Sequence, residues 1–178
     1  MPELLSAKET TEGSVMKVRE IMTADPACCT PEQTVSEAAQ LMREYDCGCA
    51  LVVDDLRSRH LVGVVTDRDL AVRVLAARKG PETPIREVMS ADPSCCTAEA
   101  DLREVERVMV ERQVRRVPVV DGGGGCVGVI AQADLARNSG GGGLSDRDLA
   151  RVVERISQPT PWASRAEAEV GVRPAQNR

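Results

Sequence analysis

Thr66, Asp67, Arg68 and Asp69 are the residues of this chain whose types and spacing could do chemistry. They stand where a β-branched run, Leu61 to Val65, gives way to a helical pattern running toward Ala77. A helix N-terminus presents unpaired N–H groups and the positive end of the backbone dipole, so it can hold an anion. A carboxylate one turn inside can accept hydrogen bonds from two hydroxyls, as a ribose diol would offer. Thr66 and Asp69 fit those two tasks. The same T-x-x-D spacing also makes an N-terminal cap, with the hydroxyl on a backbone N–H and the carboxylate against the dipole. Spacing alone leaves binding and capping both open. The pattern recurs at Ala131-Gln132-Ala133-Asp134, with the carboxylate kept and the hydroxyl lost. The lost hydrogen bond is worth about 0.5–1.5 kcal/mol, so a second site there is expected to be weaker or to take a different ligand.

Other chemistry finds less support. His60 is the only histidine and lies in a polar turn without a nearby nucleophile, so the chain is expected not to be an enzyme. The glycine runs 122–125 and 140–143 lack the Gly-Lys-Ser/Thr of a phosphate-binding loop and read as turn and linker. Seven cysteines (Cys28, Cys29, Cys47, Cys49, Cys95, Cys96, Cys126) are an odd number in a chain large enough to fold without disulfides. Most are expected to be small buried apolar residues, without a metal site, since neither C-x-x-C spacing nor a four-ligand set is evident. Tyr45 and Trp162 are the only aromatics, and the net charge is -5, which argues against nucleic acid. The longest apolar runs are strand-sized, so no membrane association is expected, and the start of the chain carries no signal-like pattern. The expected location is cytoplasmic.

The elements that must position these residues are written twice. Val18–Asp54 and Ile85–Asp121 align at a fixed offset of 67 with 16 of 37 positions identical and no gap. A unit of about 60 residues buries little core alone, so two copies are expected to pack their apolar faces together. Each copy opens on a short apolar segment, Val18–Met22 or Ile85–Met89, expected as a first strand, followed by an Asp-Pro turn. Thr34-Val35-Ser36-Glu37 is a capping box before a helix with Val35, Ala38, Ala39 and Met42 on one face. Asp101 and Glu104 are its counterpart, ahead of Leu102, Val105 and Met109. Ala50–Val53 and Val117–Val120 read as strands buried on both faces. A second strand and a helix complete each β-α-β-β-α unit. The expected organisation is a flexible N-terminus at 1–17, repeats at 18–79 and 84–138, and a glycine-rich linker, short helix and polar tail at 139–178. The short helix, Ser145 to Ile156, places Leu149, Val152, Val153 and Ile156 on one face.

The duplicated unit, with Val-x-Asp followed by Gly-h-h-(Thr/Ala)-x-x-Asp-Leu, where h is an apolar residue, resembles the cystathionine β-synthase (CBS) domain over about two thirds of the chain. That resemblance implies an α/β (α+β) fold in which two CBS repeats pack as a pseudo-two-fold pair. It further implies a non-catalytic regulatory module that binds an adenine nucleotide (AMP, ADP, ATP or S-adenosylmethionine class) between the repeats. Homodimerisation and an unidentified effector protein follow from the same likeness. Carried over residue by residue, the ligand contacts fall on Thr66, Asp69 and Asp134. Arg115 and Arg116, just before a strand, become candidates for the phosphates of the ligand held at Thr66 and Asp69, and otherwise are solvated surface arginines. Thr30 and Thr97 begin segments that line the two pockets in relatives. Two alternatives remain: a cysteine-based redox or stress-response protein, and a structural dimerisation module with vestigial pockets.

Overall fold

In the computed structural model, residues 16–139 and 145–158 are described. The glycine linker at 140–144, most of the expected N-terminal lead and the tail from 159, Trp162 included, lie outside them. The first copy contains β1 (Thr23–Ala24), β2 (Cys28–Cys29), α1 (Val35–Glu44), β3 (Cys49–Val53) and β4 (Leu61–Thr66). It closes with α2 (Asp67–Asp69), which runs on into a π-helical segment, Leu70–Leu75. The second contains β5 (Ser90–Ala91), β6 (Cys96–Thr97), α3 (Leu102–Arg112), β7 (Arg116–Val120), β8 (Cys126–Ala131) and α4 (Gln132–Arg137), and α5 (Asp146–Ile156) follows.

The local signals act where they are written. Thr34 Oγ1 accepts from the Glu37 N–H at 3.2 Å while Glu37 Oε2 accepts from the Thr34 N–H at 2.7 Å, closing the capping box that starts α1. All five residues of β3 are buried, as expected for a strand covered on both faces. The α5 helix buries Val152 and Ile156 and packs on α3 and α4. The α3 cap departs from expectation. Asp101 makes no side-chain cap; its carboxylate pairs with Lys17 instead, a stronger partner than a neutral N–H.

The apolar opening of each copy is not a strand. Val18–Glu20 and Ile85–Glu87 are single 3-10 turns, and the strands come later, at Thr23–Ala24 and Ser90–Ala91, where the residues are exposed. Two exposed residues carry no alternation to read, so the apolar turn beside them gives the louder signal. These short strands also cross over. One sheet has the order β1-β8-β7-β6 and the other β2-β3-β4-β5, so each copy lends its first strand to the other's sheet. The turns go with the strands: Val18 packs in the core with Leu102, Val105 and Ile130, and Ile85 and Val88 pack with Val35, Ala38 and Val65. Backbone bonds from Val18 N–H to Ala100 O (3.0 Å) and from Ile85 N–H to Gln33 O (2.8 Å) fasten them.

Gly63 and Gly128 occupy matching places in β4 and β8 because of this exchange. A Cβ on Gly63 would stand 2.8 Å from Met89 Sδ and 3.1 Å from Ser90 O. On Gly128 it would stand 2.7 Å from Met22 Sδ and 3.1 Å from Thr23 O. The lent strands approach so closely that even a Cβ would press on the methionine and on the backbone oxygen.

Candidate functional site

The exchange leaves a cleft on each side of the junction, and each is walled by both copies. The larger, about 660 Å³, is lined from the first copy by Cys49, Val64 and Thr66–Asp69, and from the second by Ser90, Asp92–Ser94 and Arg112–Arg116. The smaller, about 230 Å³, is lined by Asp25–Ala27, Tyr45–Cys49 and the Ala131–Asp134 corner. A cavity that buries a nucleotide-sized ligand holds roughly 300–1,000 Å³, which admits the first cleft and not the second.

Thr66 sits at the end of β4 and caps α2. Its Oγ1 accepts from the Asp69 N–H at 3.2 Å and donates to Asp69 Oδ2 at 2.6 Å, and the Thr66 N–H donates to the same oxygen at 2.9 Å. Arg73, one turn on, brings Nε to 3.4 Å from Asp69 Oδ1. Capping and binding therefore draw on one carboxylate. Of its roughly four lone-pair sites, three are occupied, and the outer oxygen keeps one for a hydroxyl. The Arg73 contact is the longest of the three and the first to yield a second. The Asp69 side chain keeps 14% of its surface exposed, and both Thr66 and Asp69 line the first cleft.

Across the cleft stand Arg112 at the end of α3 and Arg115 and Arg116 leading into β7. Gln113 between them is in the left-handed region (φ 52°), which turns the chain sharply there. Arg116 leans over Gly48, where a Cβ would lie 3.1 Å from Nη2 and 2.8 Å from Asp67 Oδ2. It borders both clefts. Four arginines, Arg68, Arg112, Arg115 and Arg116, face three aspartates, Asp67, Asp69 and Asp92, in the first cleft. The second sets Arg116 and Arg137 against Asp25, Asp46 and Asp134.

The second cleft is tighter, and its carboxylate is more deeply buried. Asp134 is only 4% exposed; its Oδ2 accepts from the Ala131 N–H at 2.7 Å and its Oδ1 pairs with Arg137. Without a hydroxyl at 131, α4 starts with no side-chain cap. The structure thus brings Thr66, Asp69, Arg115 and Arg116 into one cleft and Asp134 into the other. Thr30 and Thr97 line neither; the segments that do lie just before them, at 23–27 and 90–94. Arg112 and Asp92 also line the first cleft, and neither stands out in the sequence as a site residue. The signal for Asp92 was available in the duplicated Asp-Pro corner, whereas Arg112 reads as an ordinary basic helix end.

Cys49 lines both clefts, while Cys29 and Cys96 lie in the cores behind them. Burial pushes Cys49 up to about 11 and Cys29 and Cys96 up to about 12, so these are inert apolar groups near neutral pH. Among the described residues, no three or more His, Cys, Asp or Glu gather to hold a metal ion, and no helix is long and apolar enough to cross a membrane.

The model of the CBS domain family matches residues 18–76 and 85–141. The CBS domain-containing protein YhcV of Bacillus subtilis is 37% identical over 68% of this chain and 84% of its own length. Hypoxic response protein 1 of Mycobacterium tuberculosis is 35% identical over 82% of this chain and 97% of its own. A crystal structure of Hypoxic Response Protein I with two coordinated zinc ions superposes with a TM-score of 0.62 at 38% identity, over 69% of this chain and 98% of that one. CBSX2 in complex with AMP superposes with a TM-score of 0.58 at 26% identity, over 68% of this chain and 93% of that one.

Proposed function

The chain belongs to the CBS domain family, and from that premise we propose that it is a non-catalytic regulatory module whose first cleft binds an adenine nucleotide. The observation that carries the proposal is the meeting of Thr66, Asp69, Arg115 and Arg116 in one cleft of about 660 Å³ with an excess of arginine. Asp69 accepts a ribose hydroxyl on Oδ1, and the N-terminus of α2 and Thr66 face the sugar-phosphate. Arg115 and Arg116 take the phosphate from the opposite wall, helped by Arg112. The AMP held by the related CBSX2 supports the ligand class. The second cleft, smaller and with its Asp134 almost fully buried, stays empty of phosphate-bearing ligands.

Signalling follows from the exchange of strands. A ligand that touches α2 from one copy and the approach to β7 from the other binds some arrangements of the copies better than others, and its occupancy shifts their populations. The protein acts as a homodimer on an effector protein, in a cytoplasmic setting. A thermal-shift panel of AMP, ADP, ATP and S-adenosylmethionine tests the ligand. At 100 times its dissociation constant a ligand stabilises by about 2.7 kcal/mol. The proposal expects a shift with at least one of the four that Asp69→Ala removes; no shift with any of them overturns it.

A further inference from the structure

Where the two copies meet, the duplication breaks its own symmetry. Cys28 in β2 and Cys95 occupy matching places, one before the buried Cys29 and one before the buried Cys96. Around Cys28 the partners are unmatched. Arg59 comes from the β3–β4 turn, and its Nη2 donates to Cys28 Sγ at 3.2 Å. The same guanidinium donates to Asp25 Oδ1 at 2.6 Å and to Pro26 O at 3.2 Å. Counting back from Gly128 and Gly63, the equivalent of Arg59 in the second copy is Gly124, which has no side chain to offer Cys95. The equivalent of Cys126 in the first copy is Leu61. Cys126, at the start of β8, is buried in the small cluster of Leu51 and Val53 against which Cys28 packs. The Cys126 N–H is in turn held by Arg59 O at 2.8 Å. One arginine residue thus holds the Cys28 sulfur through its side chain and the Cys126 backbone through its carbonyl, and its Nε is the one buried donor among the described side chains left without an acceptor.

We propose that Cys28 and Cys126 are an oxidant-responsive pair that closes to a disulfide stapling the first copy to the second. The oxidant is a hydroperoxide. Cys28 thiolate attacks one peroxide oxygen; the S–O bond forms, the O–O bond breaks, and hydroxide leaves when the oxidant is hydrogen peroxide. Cys126 then attacks the sulfenic sulfur; the S–S bond forms, the S–O bond breaks, and the thiol proton leaves with the oxygen as water. Two electrons pass from the two sulfurs to the peroxide. Electrostatics assigns the order of attack. The neighbouring Cys126 thiol, with Arg59 beside it, lowers Cys28 to about 6, so Cys28 is largely thiolate at pH 7. The same neighbour relation keeps the proton on Cys126 and raises its pKa. Once Cys28 is oxidised, the negative charge that holds that proton is gone and Cys126 is free to resolve the intermediate.

The test is to treat the full chain with hydrogen peroxide at pH 7, alkylate it under denaturing conditions and map the peptides. The expected product loses two of the seven alkylatable thiols and yields a peptide in which Cys28 is linked to Cys126. Cys126→Ser, which leaves Cys28 alone with Arg59, is expected to accumulate a sulfenic acid at Cys28 that dimedone traps. Arg59→Gln is expected to slow Cys28 oxidation at least tenfold at pH 7 and to recover most of the rate as pH rises toward 9. Oxidation that falls first on the exposed Cys95, or a linked peptide other than Cys28–Cys126 in the wild-type chain, overturns the proposal. An unchanged rate in Arg59→Gln with no pH recovery overturns the assignment of Arg59.

Discussion

Ala131→Thr restores to the second copy the hydroxyl that the first copy uses at Thr66, and the structure gives the size of the effect. In the first copy Thr66 Oγ1 takes the Asp69 N–H at 3.2 Å, whereas at Ala131 no side-chain cap is made and the start of α4 is left with one orphan donor more. The backbone at 131 is already extended (φ -107°, ψ 158°), close to that at Thr66 (φ -120°, ψ 162°), so the new side chain needs no rearrangement to reach its place. An N-cap hydroxyl replacing alanine contributes about 1 kcal/mol. For a domain of this size that raises Tm by roughly 2–4 °C. Ala131→Val adds the same bulk without the hydroxyl and is the control. The assay is reversible thermal or urea denaturation of the three proteins side by side. A Tm for Ala131→Thr no higher than that of Ala131→Val would refute the reasoning, because bulk and not the missing acceptor would then explain the site.

Gly128→Ala puts a Cβ 2.7 Å from Met22 Sδ and 3.1 Å from a backbone oxygen, and should cost about 1–3 kcal/mol in urea unfolding, with Gly63→Ala similar. Met109→Ala empties a fully buried place in the core under the β1-β8-β7-β6 sheet and should cost about 2–5 kcal/mol by the same measurement. Asp54 and Asp121 close the two β-turns; the Ser58 hydroxyl holds the first below the usual carboxylate range and the Gly125 and Gly123 N–H groups the second. Both folded-state values lie below the unfolded one. Their contribution is therefore present above about pH 4 and lost as pH falls through the folded values, so Asp54→Asn with Asp121→Asn should flatten the acid limb of a Tm-against-pH curve.

The duplication, the two buried central strands and the capping boxes at Thr34 and Thr66 were legible because each is a local pattern with a strong side-chain signature. The destination of the first strand was not. Thr23–Ala24 and Ser90–Ala91 are too short and too exposed to signal, and which sheet they join is decided by where Val18 and Ile85 find a core. That exchange also explains why Thr30 and Thr97 fall outside the clefts while the residues just before them line the walls. Asp134 was legible as a counterpart of Asp69. Its pairing with Arg137 was not, because the matching position in the first copy, Val72, has no charge to suggest it. The asymmetry at Arg59 and Cys126 lay in the turns, where the two copies differ in length and sequence and alignment carries least.

The most direct measurement is the crystal structure of the chain grown with AMP. The account predicts density in the larger cleft alone, with a ribose hydroxyl within hydrogen-bond distance of Asp69 Oδ1 and the phosphate against Arg115 and Arg116. Nucleotide bound elsewhere, or bound in that cleft with its phosphate turned away from both arginines, would contradict it.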